Sequence, residues 1–154
     1  MFTPIHPILV HFPIAFLLLG VVAQFLALWK KDYFNKTAML LLSIGWVTAF
    51  ISYLTGDGAE HFAEQTKGDA IESIVHTHEL YAKITLVLFA IVIFLKIFGR
   101  FRKGSFLVPV ILILSLAGAG TLAMTGYYGG EMVYHVNPSQ NHPAAGHTEH
   151  DGDE

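Results

Sequence analysis

Cysteine is absent from the 154-residue chain. That excludes disulfides, zinc–thiolate sites, cysteine-held iron–sulfur clusters and covalent c-type haem attachment. Charge is scarce too: 14% of residues are Asp, Glu, Lys or Arg, where a soluble domain carries about a quarter. Also missing are a Walker loop, a dinucleotide-binding glycine fingerprint, a His-Glu-x-x-His pair and a nucleophile elbow. Nothing therefore marks nucleotide hydrolysis, hydride transfer, zinc proteolysis or serine acyl transfer. No patch of basic and aromatic residues points to nucleic acid.

What is present is apolar. The chain is 53% hydrophobic, with a mean hydropathy of +0.52. Four blocks carry it, Ile8–Trp29, Thr37–Leu54, Leu80–Phe98 and Phe106–Tyr128. Each is near the ~20 residues that cross a bilayer core of ~30 Å. Four buried helices of a soluble protein would each keep a polar face, and Phe16–Leu28 and Leu107–Leu116 have none. The first block lacks the basic start and small-residue cleavage site of a signal peptide. The expected fold is all-α, a four-helix transmembrane bundle over residues 1–136. A His- and acid-rich tail, 137–154, has nothing to bury and reads as disordered.

Charge orients the bundle. Lys30, Lys31 and Lys36, then Lys96, Arg100, Arg102 and Lys103, flank the turns joining spans one to two and three to four. By the positive-inside rule those turns are cytoplasmic. The middle loop Thr55–Glu79 sets six acids against Lys67 alone and faces outward. Both termini are then extracytoplasmic, as in the inner membrane of a bacterium. All nine histidines fall on the outer side, six near span ends (His6, His11, His61, His76, His78, His135) and three in the tail.

Spans two and four both end in Thr-Gly, a further Gly and Glu, at Thr55-Gly-Asp-Gly-Ala-Glu60 and Thr125-Gly-Tyr-Tyr-Gly-Gly-Glu131. A parallel duplication of a two-helix hairpin gives such a pattern. Gly56, Gly58, Gly126, Gly129 and Gly130 are expected helix stops. Gly45, Gly118, Ala119, Gly120 and Ala123 permit close helix approach, and Trp46, inside its span, serves packing. In the middle loop, His61–Gln65 extends span two by about a turn. Asp69–Glu79 leads amphipathically into span three.

The histidines invite a cofactor, since ionisable groups beside a span are costly to keep there. His6 and His11 lie about 140° apart on a helix, and Pro7 and Pro13 argue against regular helix there. His6 then sits at the water boundary and His11 about a turn into the membrane. His76 and His78 face opposite ways on a helix and the same way on a strand, so one of them joins His11. Haem b between helices fits, with His11 and His78 (His76 second) as axial ligands, because bis-imidazole iron suits electron transfer. Phe12, Phe16 and Gly126 would supply flat walls, and His61 and His135 contacts to propionates or a second cofactor. The alternative is a bare zinc, iron or copper ion on His11, His76, His78, Glu131 and His135, for metal handling or hydrolysis. Glu131 and His135 stand i, i+4 for that purpose. A third reading makes the polar mouth structural, with His and Glu capping helix ends. The tail His142-Pro-Ala-Ala-Gly-His147-Thr-Glu-His150 suits loose copper, nickel or zinc binding.

His6-Pro-Ile-Leu-Val-His11-Phe-Pro-Ile-Ala15 resembles the start of DUF2231, a bacterial family of small four-span membrane proteins. Thr125-Gly-Tyr-Tyr-Gly-Gly-Glu-Met-Val-Tyr-His135 resembles its closing motif, so the likeness covers Met1–Val136. The resemblance implies no defined activity. Members look like accessory proteins of respiratory or redox systems, which tilts the expectation towards haem. The expected partners are the lipid bilayer, a redox partner protein and, in a homo-oligomer, further copies of the chain.

Overall fold

The computed structural model describes residues 10–67, 69–101 and 106–136, and side chains over 10–54, 73–101 and 106–132. Four helices follow in order: α1 (His11–Leu26), α2 (Lys31–Lys67), α3 (Asp69–Phe101) and α4 (Leu107–Val136). Helix is what lipid dictates, because a backbone in hydrocarbon must satisfy its own N–H and C=O groups. The chain is an all-α four-helix bundle. Each helix packs on its sequence neighbours and α1 closes on α4, so α1 and α3 stand on one diagonal. The pairs α1–α2 and α3–α4 are packed most closely.

The first hairpin turns over Ala27–Lys30. There the hydrogen bonds of Leu28 and Trp29 tighten to carbonyls three residues back, each at 3.0 Å. So short a connection makes the two helices antiparallel neighbours. They mesh through glycines. A Cβ on Gly20 would lie 2.8 Å from Leu42 Cγ and 3.1 Å from its backbone N. One on Gly45 would lie 2.9 Å from the backbone N of Leu17. Each leucine therefore seats over the other helix's glycine, and both are fully buried. The second hairpin is joined differently, with the buried Phe89 ring resting on Gly118 at a would-be Cβ distance of 3.0 Å. Trp46 serves packing as expected: its indole N–H donates to the Leu86 carbonyl at 2.9 Å and ties α2 to α3.

The core is thin. Leu17, Val21, Leu42, Phe89, Val92, Ile111 and Leu122 form it, while Leu18, Leu19, Val22, Leu40, Val47, Val87, Phe94, Ile113 and Leu116 point outward. A soluble monomer does not expose so much contiguous apolar surface; lipid is the solvent that suits it. Lys31–Leu54, Ser73–Phe101 and Leu107–Met132 are long and apolar enough to cross a membrane. The apolar α1, at 16 residues, is about 24 Å long and shorter than the usual span.

Several expectations are corrected. Gly56, Gly58, Gly126, Gly129 and Gly130 do not end their helices, since α2 runs on to Lys67 and α4 to Val136. Glycine inside a helix costs about 1 kcal/mol, and the good helix formers Ala59, Glu60, Ala63, Glu64 and Gln65 follow the first two. The middle segment is accordingly no loop with a single extra turn. Helix α2 has 37 residues and α3 has 33, about 55 and 50 Å, and both overshoot the bilayer. Pro13 does not prevent regular helix; it lies in the first turn of α1, where its missing N–H would have had no intrahelical partner anyway. Gly120 meets nothing within 4 Å and mediates no close approach. The tail 137–154 lies outside the described residues.

Candidate functional site at the histidine-bearing end of the bundle

The α3–α4 hairpin is held by a ladder of cross-helix contacts. Below, Phe89 rests on Gly118. Above it the Thr85 and Thr121 hydroxyl oxygens meet at 2.9 Å, and higher still Tyr81 stacks on Tyr128 with centroids 5.6 Å apart. His78 occupies the top rung. Its Nδ1 lies 2.8 Å from the backbone carbonyl of Thr125. A carbonyl only accepts, so Nδ1 carries a proton, and in the neutral ring the lone pair then resides on Nε2.

Glycine at position 129 leaves room for the ring that makes this bond. In a helix the residue four places on lies beside a carbonyl, and its Cβ would shield it. A Cβ at Gly129 would come 3.3 Å from the imidazole Cε1 and 3.4 Å from Nδ1. The Thr125-x-x-x-Gly129 spacing was the visible signal for this contact. Read as a helix stop, the glycine concealed it.

A second polar group faces α2. The Tyr53 hydroxyl donates to Glu79 Oε1 at 3.2 Å, and Lys83 Nζ reaches the same oxygen at 2.7 Å. One carboxylate thus links α2 to α3 and balances a nearby cation. The acid was legible as an outward charge; its two partners were not.

The expected site residues separate as follows. His76 and His78 both lie on regular helix, and their two-residue spacing sorts them: His78 is half-buried against α4, and His76 is exposed. His11 is the first residue of α1 and its side chain is exposed. Phe12 and Phe16 stack on each other at 6.5 Å, and Gly126 borders open space. Glu131 is half-buried, and α4 stays helical past residue 135, which keeps positions 131 and 135 one turn apart on one strip. His6 and the side chains of His61 and His135 lie outside the described residues. Among the described residues, no three His, Asp or Glu side chains gather closely enough to hold a bare metal ion. A haem iron needs only one or two protein ligands, and His78 has the chemistry of such a ligand.

No curated protein and no solved structure matches the chain. The model of the DUF2231 family, whose description is "predicted membrane protein", matches residues 2–139, which take in all four helices and the residues described above. The chain belongs to that family of membrane proteins.

Proposed function

We propose that the protein is a membrane redox protein that binds haem b at the outer end of the bundle. His78 and His11 are the residues that would hold its iron. The observation that carries the reading is the His78 Nδ1 bond to the Thr125 carbonyl. Ligand histidines habitually donate their remaining ring N–H to a carbonyl or carboxylate, which fixes the tautomer and makes the ligating nitrogen more basic. Helices α1 and α3 lie across the bundle's diagonal, and His11, whose side chain is exposed, would have to turn inward to share a cofactor with His78. Bound there, the haem would supply one-electron transfer with no open coordination position. The chain's own part is to orient the His78 ring, to supply apolar walls and to exclude water. The skewed distribution of Lys and Arg supports an orientation with this end outside a bacterial inner membrane, where a redox partner protein would dock.

The test is the absorbance spectrum of protein expressed with haem supplied and purified in detergent. A Soret band that shifts on dithionite reduction, and is lost in His78→Ala and in His11→Ala, is expected. A colourless, folded protein, or one carrying stoichiometric zinc, iron or copper instead, overturns the reading. In the metal-bearing case the ligands would come from His11, His76, His78, Glu131 and His135.

A further inference from the structure

The inner end of the bundle holds a cation of a different kind. Lys96 sits five residues before the end of α3, about 7.5 Å from it, among the apolar residues Ile93, Phe94, Leu95 and Ile97. A lysine so placed ordinarily snorkels, stretching its stem so that the ammonium reaches water. Here the ammonium turns into the bundle. Lys96 Nζ donates to Oε1 of Gln24 on α1 and, at 2.7 Å, to Oδ1 of Asn35 on α2. Gln24 is 6% exposed. It is the one polar side chain within the apolar run from Ile14 to Leu28.

Both acceptors are neutral. They fix the position of the charge without cancelling it, and among the described residues no carboxylate pairs with Lys96. An ammonium has three N–H donors, two of which these amides take. Lys96 is half-buried, and Asn35 stands exposed at the edge of the cluster, so the third donor has a route to the headgroup layer. Lys30, Lys31, Lys36 and Arg100 rim the same end, all exposed. Basic pockets between helices on the cytoplasmic side suit anionic phospholipid headgroups.

We infer that the Gln24–Asn35–Lys96 cluster is a binding site for the phosphate of an anionic phospholipid in the inner leaflet. Lys96 supplies the charge-assisted hydrogen bond, and the two amides hold its ammonium towards the phosphate. Surface lysines alone would give a weak attraction that salt screens; a half-buried cation held by two amides gives a saturable site.

The test measures thermal unfolding of the full chain in phosphatidylcholine vesicles with increasing phosphatidylglycerol. A saturable rise in midpoint is expected for the wild type and for Lys30→Gln/Lys31→Gln, and not for Lys96→Met. Lys96→Arg keeps a charge and should retain part of the rise. Circular dichroism establishes that Lys96→Met is folded; should it not fold, Asn35→Ala serves instead, with weaker lipid binding expected because the ammonium is less well held. An equal rise in the folded Lys96→Met protein overturns the inference. So does an equal rise with inorganic phosphate alone, which would make the ligand a free anion, or no rise in the wild type.

Discussion

The two ends of the bundle handle charge in opposite ways. At the outer end the Glu79 carboxylate takes both the Lys83 ammonium and the Tyr53 hydroxyl, and His78 donates to a carbonyl. At the inner end the Lys96 ammonium meets amide oxygens alone. A carboxylate–ammonium pair closes its own field, and an amide clamp leaves a field standing. The outer end is thus arranged to aim a ring nitrogen, and the inner end to present a positive charge.

The sharpest way to separate the ends is His78→Ala. It should abolish haem absorbance while leaving the phosphatidylglycerol response unchanged; loss of both responses would mean that the ends are one unit. Next in size is a change that ought to harm both together. Gly45→Ala puts a Cβ 2.9 Å from the Leu17 backbone, where no flexible side-chain tip can move aside. Overpacking of this kind costs about 1–3 kcal/mol, readable as a lower unfolding midpoint in detergent. An unchanged midpoint would show that α1 and α2 part easily.

Two neighbouring glycines of α4 offer a finer contrast. Gly129→Ala crowds the imidazole at 3.3 Å, so the ring must shift by a few tenths of an ångström, weakening haem retention without eliminating it. Gly126→Ala enters open space and should stabilise the helix by up to about 1 kcal/mol through propensity alone. Equal effects of the two on the Soret band would remove Gly129 from the site. Tyr53→Phe should cost about 0.5–1.5 kcal/mol for one hydrogen bond. Lys83→Met should have the smallest effect, since its side chain is exposed and such ion pairs are worth little. Thermal melts of the two variants should rank in that order.

The helices themselves were legible because lipid leaves one backbone solution and apolar blocks announce it. Their lengths were not. Gly56 and Gly58 carry a strong local stop signal, but a glycine's cost of about 1 kcal/mol yields to the helix formers that follow it. Whether His76 and His78 face the same way hung on helix or strand, and the continuous α3 parts them, with His78 against α4 and His76 exposed. Lys96 counted only as one inward charge among seven. Its partners Gln24 and Asn35 are 72 and 61 residues away, and no local pattern joins such positions. A lone glutamine in an otherwise apolar run was the trace it left.

The reciprocal seating of Leu17 on Gly45 and Leu42 on Gly20 works as a mechanical detent. Sliding α1 along α2 by one turn would lift each leucine from its notch and drive it against a bulkier neighbour. The first helix therefore cannot ride up or down when the bilayer thickens or thins, and the depth of its opening histidine is set by protein rather than by lipid.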